Sequence, residues 1–119
     1  MVLVDTSVWV DHFRSRNARL SSLLDEGKVA VHPLIIGELA CGTFPRRSET
    51  LGLLRALPQA AGAGHEEIMP FIEDERLMGL GLGYVDIALL ASARLTMIPL
   101  WTLDLPLRKA ASRLGVAPQ

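Results

Sequence analysis

The opening run Val2-Leu3-Val4-Asp5-Thr6-Ser7-Val8-Trp9-Val10 constrains this chain more than any other stretch. Its first residues are apolar β-formers without alternation, the pattern of a strand buried on both faces, as in a parallel sheet. The strand reading covers residues 2–5. Thr6 and Ser7 fit the cap of a helix that begins near residue 7 and carries Val8 to Phe13. Asp5 then falls at the C-terminal tip of a central strand, where open α/β sheets place their ligands.

Further along, apolar runs and helical stripes alternate. Leu20, Leu23 and Leu24 stand at helical spacing, and Gly27 closes that helix. Val29-Ala30-Val31 reads as a second strand. Pro33 opens a helix over 33–42, in which Leu34, Glu38 and Cys41 share one face. A further helix is expected over Arg46–Leu57, then a turn at 58–64 with a short edge strand at 59–61. Residues 65–78 keep helical periodicity, and Pro70 is expected to kink or restart it. Gly79 to Gly83 is a loop, and its spacing is not that of a dinucleotide fingerprint. Asp86 is expected to open a helix over Asp86–Leu95. Ile98-Pro99-Leu100-Trp101-Thr102 reads as a strand, Asp104 starts the last helix, and Val116-Ala117 reads as a final strand. Strands alternating with helices predict an α/β chain with a central parallel sheet and right-handed crossovers.

Residues 1–119 are read as a single domain, large enough to bury roughly two-thirds of its unfolded surface. A net charge of −1 does not mark the whole chain as a nucleic-acid binder. The basic residues are ten Arg and two Lys, and Arg is the better partner for phosphate. Arg14, Arg16, Arg46 and Arg47 have two readings, as contacts to RNA phosphates or as solvated loop charge. Cys41 stands alone, which rules out an internal disulfide, fits a reducing cytoplasmic compartment and is read as a small buried hydrophobe. No apolar run approaches the roughly 18 residues of a membrane span. His12, His32 and His65 lack metal-ligand spacing and are read as surface or capping residues.

Four acids carry the chemistry: Asp5, Glu38, Asp86 and Asp104. Each aspartate also has a structural reading as a helix cap. Glu38 is costly on an apolar helix face unless it is paired, and no Lys or Arg lies within a helical turn of it. The two aspartates at strand ends, the one at a helix start and the glutamate after the second strand are expected to share one rim. Clustered carboxylates resist joint ionisation, and a hard divalent cation removes the conflict. Carboxylates with positions left open for water suit metal-assisted phosphodiester hydrolysis. An aspartate-based phosphatase would want a second acid two residues after the first, where Ser7 stands.

The motifs resemble those of the PIN-domain ribonucleases, specifically VapC-type toxins of toxin–antitoxin pairs. Val2-Leu3-Val4-Asp5-Thr6-Ser7-Val8-Trp9 is similar to the family's opening, and Ile36-Gly37-Glu38-Leu39 to its second acidic motif. Gly81 to Ala93, around Asp86, resembles the third, and Leu100-Trp101-Thr102-Leu103-Asp104 the fourth. The resemblance runs nearly end to end. It implies a PIN-like α/β/α sandwich and a metal-dependent endoribonuclease acting on RNA, with tRNA or rRNA as substrates. Asp5, Glu38, Asp86 and Asp104 would form the acidic pocket around Mg²⁺ or Mn²⁺, and Thr6 and Thr102 would orient it. Pro106 stands where some relatives carry a fifth acid. The resemblance also implies a homodimer or higher toxin–antitoxin oligomer, silenced by a VapB-type antitoxin that reaches operator DNA on behalf of the pair. Trp9 and Phe13 are read as core or as part of the antitoxin groove. The competing reading is a non-catalytic binding module with a vestigial acidic pocket, and RNA cleavage by the isolated chain separates the two.

Overall fold

A computed structural model describes residues 1–119. Its sheet has β1 (Val2–Val4) at the centre, β2 (Val29–Ala30) on one side and β3 (Leu100–Trp101) on the other, all parallel. Leu3 lies opposite both Ala30 and Leu100, and Val4 lies opposite Trp101. Every strand residue is buried, as the unbroken apolar run at residues 2–4 predicts. Because the strands are parallel, the residues that follow them emerge on one rim. Asp5 follows β1 and Thr102 follows β3.

Seven helices surround the sheet: α1 (Thr6–Arg14), α2 (Ala18–Asp25), α3 (Pro33–Ala40), α4 (Arg47–Arg55), α5 (His65–Asp74), α6 (Tyr84–Thr96) and α7 (Leu105–Arg113). Leu3, Val4, Val8, Leu20, Ile35, Leu90, Leu100 and Leu107 meet in one core. A smaller cluster joins Ile68 and Leu77 to Ile87 and Ala88 of α6. Residues 87–93 of α6 are all buried, so this helix is enclosed rather than amphipathic. Each enclosed Leu contributes about 1.5–3 kcal/mol through burial alone. No helix is long and apolar enough to cross a membrane.

Several local expectations are corrected. The cap of α1 is Asp5, whose side chain accepts the Ser7 N–H, while Thr6 and Ser7 lie inside the first turn. Asp86 is the third residue of α6, and Gly83 is its cap. The helix begins earlier because an acid at this position can accept an orphan N–H from the cap. α5 runs through Pro70 without restarting, held against the core by Ile68 and Phe71. The strand expected over 98–102 shortens to Leu100–Trp101. The strand expected at Val116-Ala117 is reduced to one bond, Leu100 N–H to the Val116 carbonyl at 2.7 Å.

The face of α3 shared by Leu34, Glu38 and Cys41 points outward. Ile35 and Leu39, one position further round, form the buried stripe. Glu38 is therefore exposed, and Cys41 is an exposed thiol rather than a buried hydrophobe. The sequence is ambiguous here because both stripes of this helix are apolar.

Candidate acidic site

Asp5 is buried, with 6% of its surface exposed, and it has no cationic partner. Its Oδ2 accepts hydrogen bonds from Thr102 Oγ1 at 2.7 Å, Ser7 Oγ at 2.7 Å and the Ser7 N–H at 3.4 Å. Donors on the ionised oxygen offset the cost of desolvating it. Ser7 Oγ also accepts the Leu103 N–H, and Thr102 Oγ1 accepts the Asp104 N–H. The two hydroxyls thus link the tip of β1 to the chain leaving β3. The sequence offers Ser7 as a helix cap and not as a ligand-orienting residue. Its signal is a hydroxyl two residues after an aspartate at a strand end, a turn-forming pattern.

The other acids are held in the same manner. Asp86 Oδ2 accepts the Gly83 N–H at 2.9 Å, and Asp104 Oδ2 accepts the Leu107 N–H at 3.1 Å. Thr6 Oγ1 donates to Glu38 Oε1 at 2.7 Å, joining α1 to α3. In each of the four carboxylates one oxygen takes every hydrogen bond the chain offers, and the second takes none. The free oxygens of Asp5 and Asp86 are not sealed in the interior, since the buried polar side-chain atom without a partner is Trp9 Nε1.

Electrostatics ties the four together. Burial is the main cause that pushes the Asp86 carboxyl above its ordinary value of 3.8. The Gly83 N–H opposes the shift, and repulsion from Asp5, Asp104 and Glu38 adds to it. No Lys, Arg or His lies within ion-pair distance of any of the four, because the chain's ion pairs are Lys28–Glu26 and Arg94–Glu75. The donors are all oxygen and negatively charged, which fits a hard divalent cation rather than a soft one. In the conformation described, no three His, Cys, Asp or Glu side chains form a ready three-ligand group.

The basic residues distribute unevenly. Arg14 lines a groove of about 390 Å³ with Thr6 and Glu38, so it borders Glu38 among the four acids. Arg16 is exposed in the loop after α1. Arg46 adopts a left-handed φ of 55° as the cap of α4. Arg47 is engaged with the end of α3, donating to the Gly42 carbonyl at 3.1 Å and to the Ala40 carbonyl. None of the three histidines hydrogen-bonds one of the four acids. His32 caps α3 by accepting the Leu34 N–H on Nδ1, and burial holds its pKa below 6.5.

Comparison with known proteins gives a consistent picture. A family model described as PIN domain matches residues 2–112. The chain is 44% identical over 118 residues to Ribonuclease VapC32 of Mycobacterium tuberculosis, in two strains, covering 98% of this chain and 95% of the relative. The crystal structure of PAE2754 from Pyrobaculum aerophilum superposes with a TM-score of 0.64 at 18% identity, over 96% of this chain and 94% of the other, a likeness of fold.

Proposed function

The chain belongs to the PIN-domain family, among its VapC-type members, and from that premise we propose that it is a metal-dependent endoribonuclease toxin folded as one PIN-like domain over residues 1–119. The relative's name, Ribonuclease VapC32, supports the activity. The observation that carries the reading is the set of carboxylates whose second oxygens are left unbonded on one rim, with no cation to neutralise them. Structural helix caps alone would account for the aspartates, but not for Glu38 being tied by Thr6 to the same rim.

Asp5, Glu38, Asp86 and Asp104 are the residues that would hold Mg²⁺ or Mn²⁺. Such an ion supplies charge neutralisation at the scissile phosphate and lowers the pKa of water. Thr102 and Ser7 fix the rotamer of Asp5, and Thr6 fixes that of Glu38. Asp86 enters the site with its carboxylate already disfavoured, so a nearby positive charge would relieve it. Arg14 borders the groove in which an RNA strand approaches Glu38.

A VapB-type antitoxin is the proposed regulator, with a homodimer or higher toxin–antitoxin oligomer as the assembly and operator DNA reached only through the antitoxin. What supports it is an apolar groove of about 370 Å³ lined by Trp9, Phe13, Leu24, Leu53 and Leu57. Leu53 is 64% exposed there. A partner segment would cover the leucines.

The test is cleavage of end-labelled tRNA and rRNA by the purified chain with Mg²⁺, with Mn²⁺ and with chelator, beside Asp5→Asn prepared identically. Discrete metal-dependent cuts absent from the variant are expected. The second reading is a binding module with a vestigial pocket. No cutting under any condition would select that reading.

A further inference from the structure

A second, basic cleft of about 410 Å³ lies along the outer edge of β3, with Arg19, Trp101, Thr102, Arg108 and Ser112 in its lining. It shares Thr102 with the acidic rim, since the hydroxyl of that residue reaches Asp5. The Arg19 guanidinium sits 4.6 Å from the centre of the Trp101 ring, which fixes its position. Neither Arg19 nor Arg108 forms an ion pair.

Three polar features of the cleft have no ion-pair or hydrogen-bond partner in the chain. Arg19 and Arg108 both lie within the first four residues of their helices, α2 and α7, where the macrodipole disfavours a cation. Helix stability therefore does not explain them. The third is a backbone donor. The Trp101 carbonyl accepts the Asp5 N–H at 2.9 Å, so the trans peptide aims the Thr102 N–H off the opposite edge of the sheet. No acceptor in the chain meets that N–H, although Thr102 is almost fully buried. Two guanidinium groups without ion pairs, the Ser112 hydroxyl and an orphan N–H line one cleft, a donor set that suits a tetrahedral oxyanion.

We propose that the Arg19–Arg108 cleft is a phosphate subsite that holds the RNA backbone on one side of the acidic pocket. This rests on the endoribonuclease reading. An acidic rim repels the polyanion it must engage, and neighbouring cationic contacts offset that repulsion while fixing the register of the strand. The subsite takes phosphate without reading bases, so it contributes affinity and position rather than sequence choice.

The test measures binding of fluorescent single-stranded RNA of several sequences, in chelator, from low to moderate salt. Wild type, Arg19→Gln, Arg108→Gln, the double variant and Lys109→Gln are compared, after thermal melts establish that each is folded. Lys109 is exposed on the same helix but does not line the cleft. Each cleft variant is expected to lower the slope of log affinity against log salt by about 0.7, equally for all sequences. In the cleavage assay KM should rise while kcat holds. Lys109→Gln should leave the slope nearly unchanged. An unchanged slope in the double variant, with wild type still binding and cutting RNA, overturns the subsite and leaves the nuclease reading intact. An equal loss in Lys109→Gln overturns it as unspecific surface charge. Arg-dependent binding of inorganic phosphate without Arg-dependent RNA binding overturns it as a small-anion site. Failure of wild type to bind or cut any RNA removes both readings.

Discussion

Thr102 donates its hydroxyl hydrogen to Asp5 Oδ2 at 2.7 Å, a bond between residues 97 positions apart in the chain. It closes the tip of β3 onto the tip of β1 and turns the other oxygen of Asp5 toward the rim. A neutral donor on a buried carboxylate is worth about 1.5–3 kcal/mol. Thr102→Val keeps the shape and removes the donor, and it also strips the Asp104 N–H of its acceptor. Chemical denaturation should register a loss of that size, and cleavage should fall about 10–100-fold, the scale for residues that orient ligands. Thr102→Ser restores the donor and should recover most of both. Equal behaviour of the Val and Ser variants would mean that the hydroxyl does not hold Asp5.

Asp5→Asn separates charge from shape. Asn caps helices about as well as Asp, and its carbonyl oxygen can still accept from Ser7 and Thr102. The fold should therefore survive, with cleavage reduced by about 100-fold or more, beyond the range for residues that only orient ligands. The Asp86 carboxyl should also titrate lower in this variant, because one of its repelling neighbours is gone. The shift should be partial, since burial is the larger cause. Side-chain carboxyl NMR would read it, and an unchanged Asp86 titration would place the two acids out of electrostatic reach.

The sheet and the acids were legible in the sequence for a physical reason. A parallel strand buried on both faces must be an unbroken apolar run, and an acid at its end must either cap a helix or face the rim. Asp5 does both, so its two readings were never exclusive. Asp86 and Asp104 likewise spend one oxygen on a helix N-terminus and keep the other. Glu38 was harder. Periodicity assigned it to a buried face because Leu34 and Cys41 are apolar, yet Ile35 and Leu39 won the core. A helix with two apolar stripes does not say which one is inside. The tie from Thr6 to Glu38, the hydroxyl pair of Ser7 and Thr102, and the orphan N–H of Thr102 just after β3 depend on long-range register, which no local pattern encodes.

His32 predicts an acid-labile helix α3. Its Nδ1 accepts the Leu34 N–H, so it caps the helix only as the neutral imidazole. Burial lowers its pKa from 6.5. A lowered folded-state pKa means that the stabilising contribution is fully present above about 6.5 and is lost as pH falls through the folded value. Stability should decline over that window, and His32→Asn, which keeps a capping oxygen, should flatten the decline. Glu38 rides on the same helix, so cleavage by wild type should fall with the cap. An Asn variant with the same acid slope would place the sensitivity elsewhere.

Asp86 has the opposite sign. Its folded-state pKa is raised above 3.8, so its favourable contribution belongs to the neutral form, is fully present below that value and is lost as pH rises through the raised pKa. Above its titration the ionised carboxylate is a liability that the fold tolerates. Asp86→Asn keeps an acceptor for the Gly83 N–H and removes the charge. The variant should gain stability relative to wild type only above the Asp86 titration, while losing cleavage. A divalent cation should act as the missing counter-charge. At a hundredfold its Kd it should stabilise wild type by about 2.7 kcal/mol at neutral pH, and Asp86→Asn much less. Thermal melts at paired pH values, with and without Mg²⁺ or Mn²⁺, read both effects at once. Equal stabilisation of wild type and variant by the ion would place it away from Asp86. A variant less stable than wild type at neutral pH would mean that the Asp86 charge supports the fold rather than straining it.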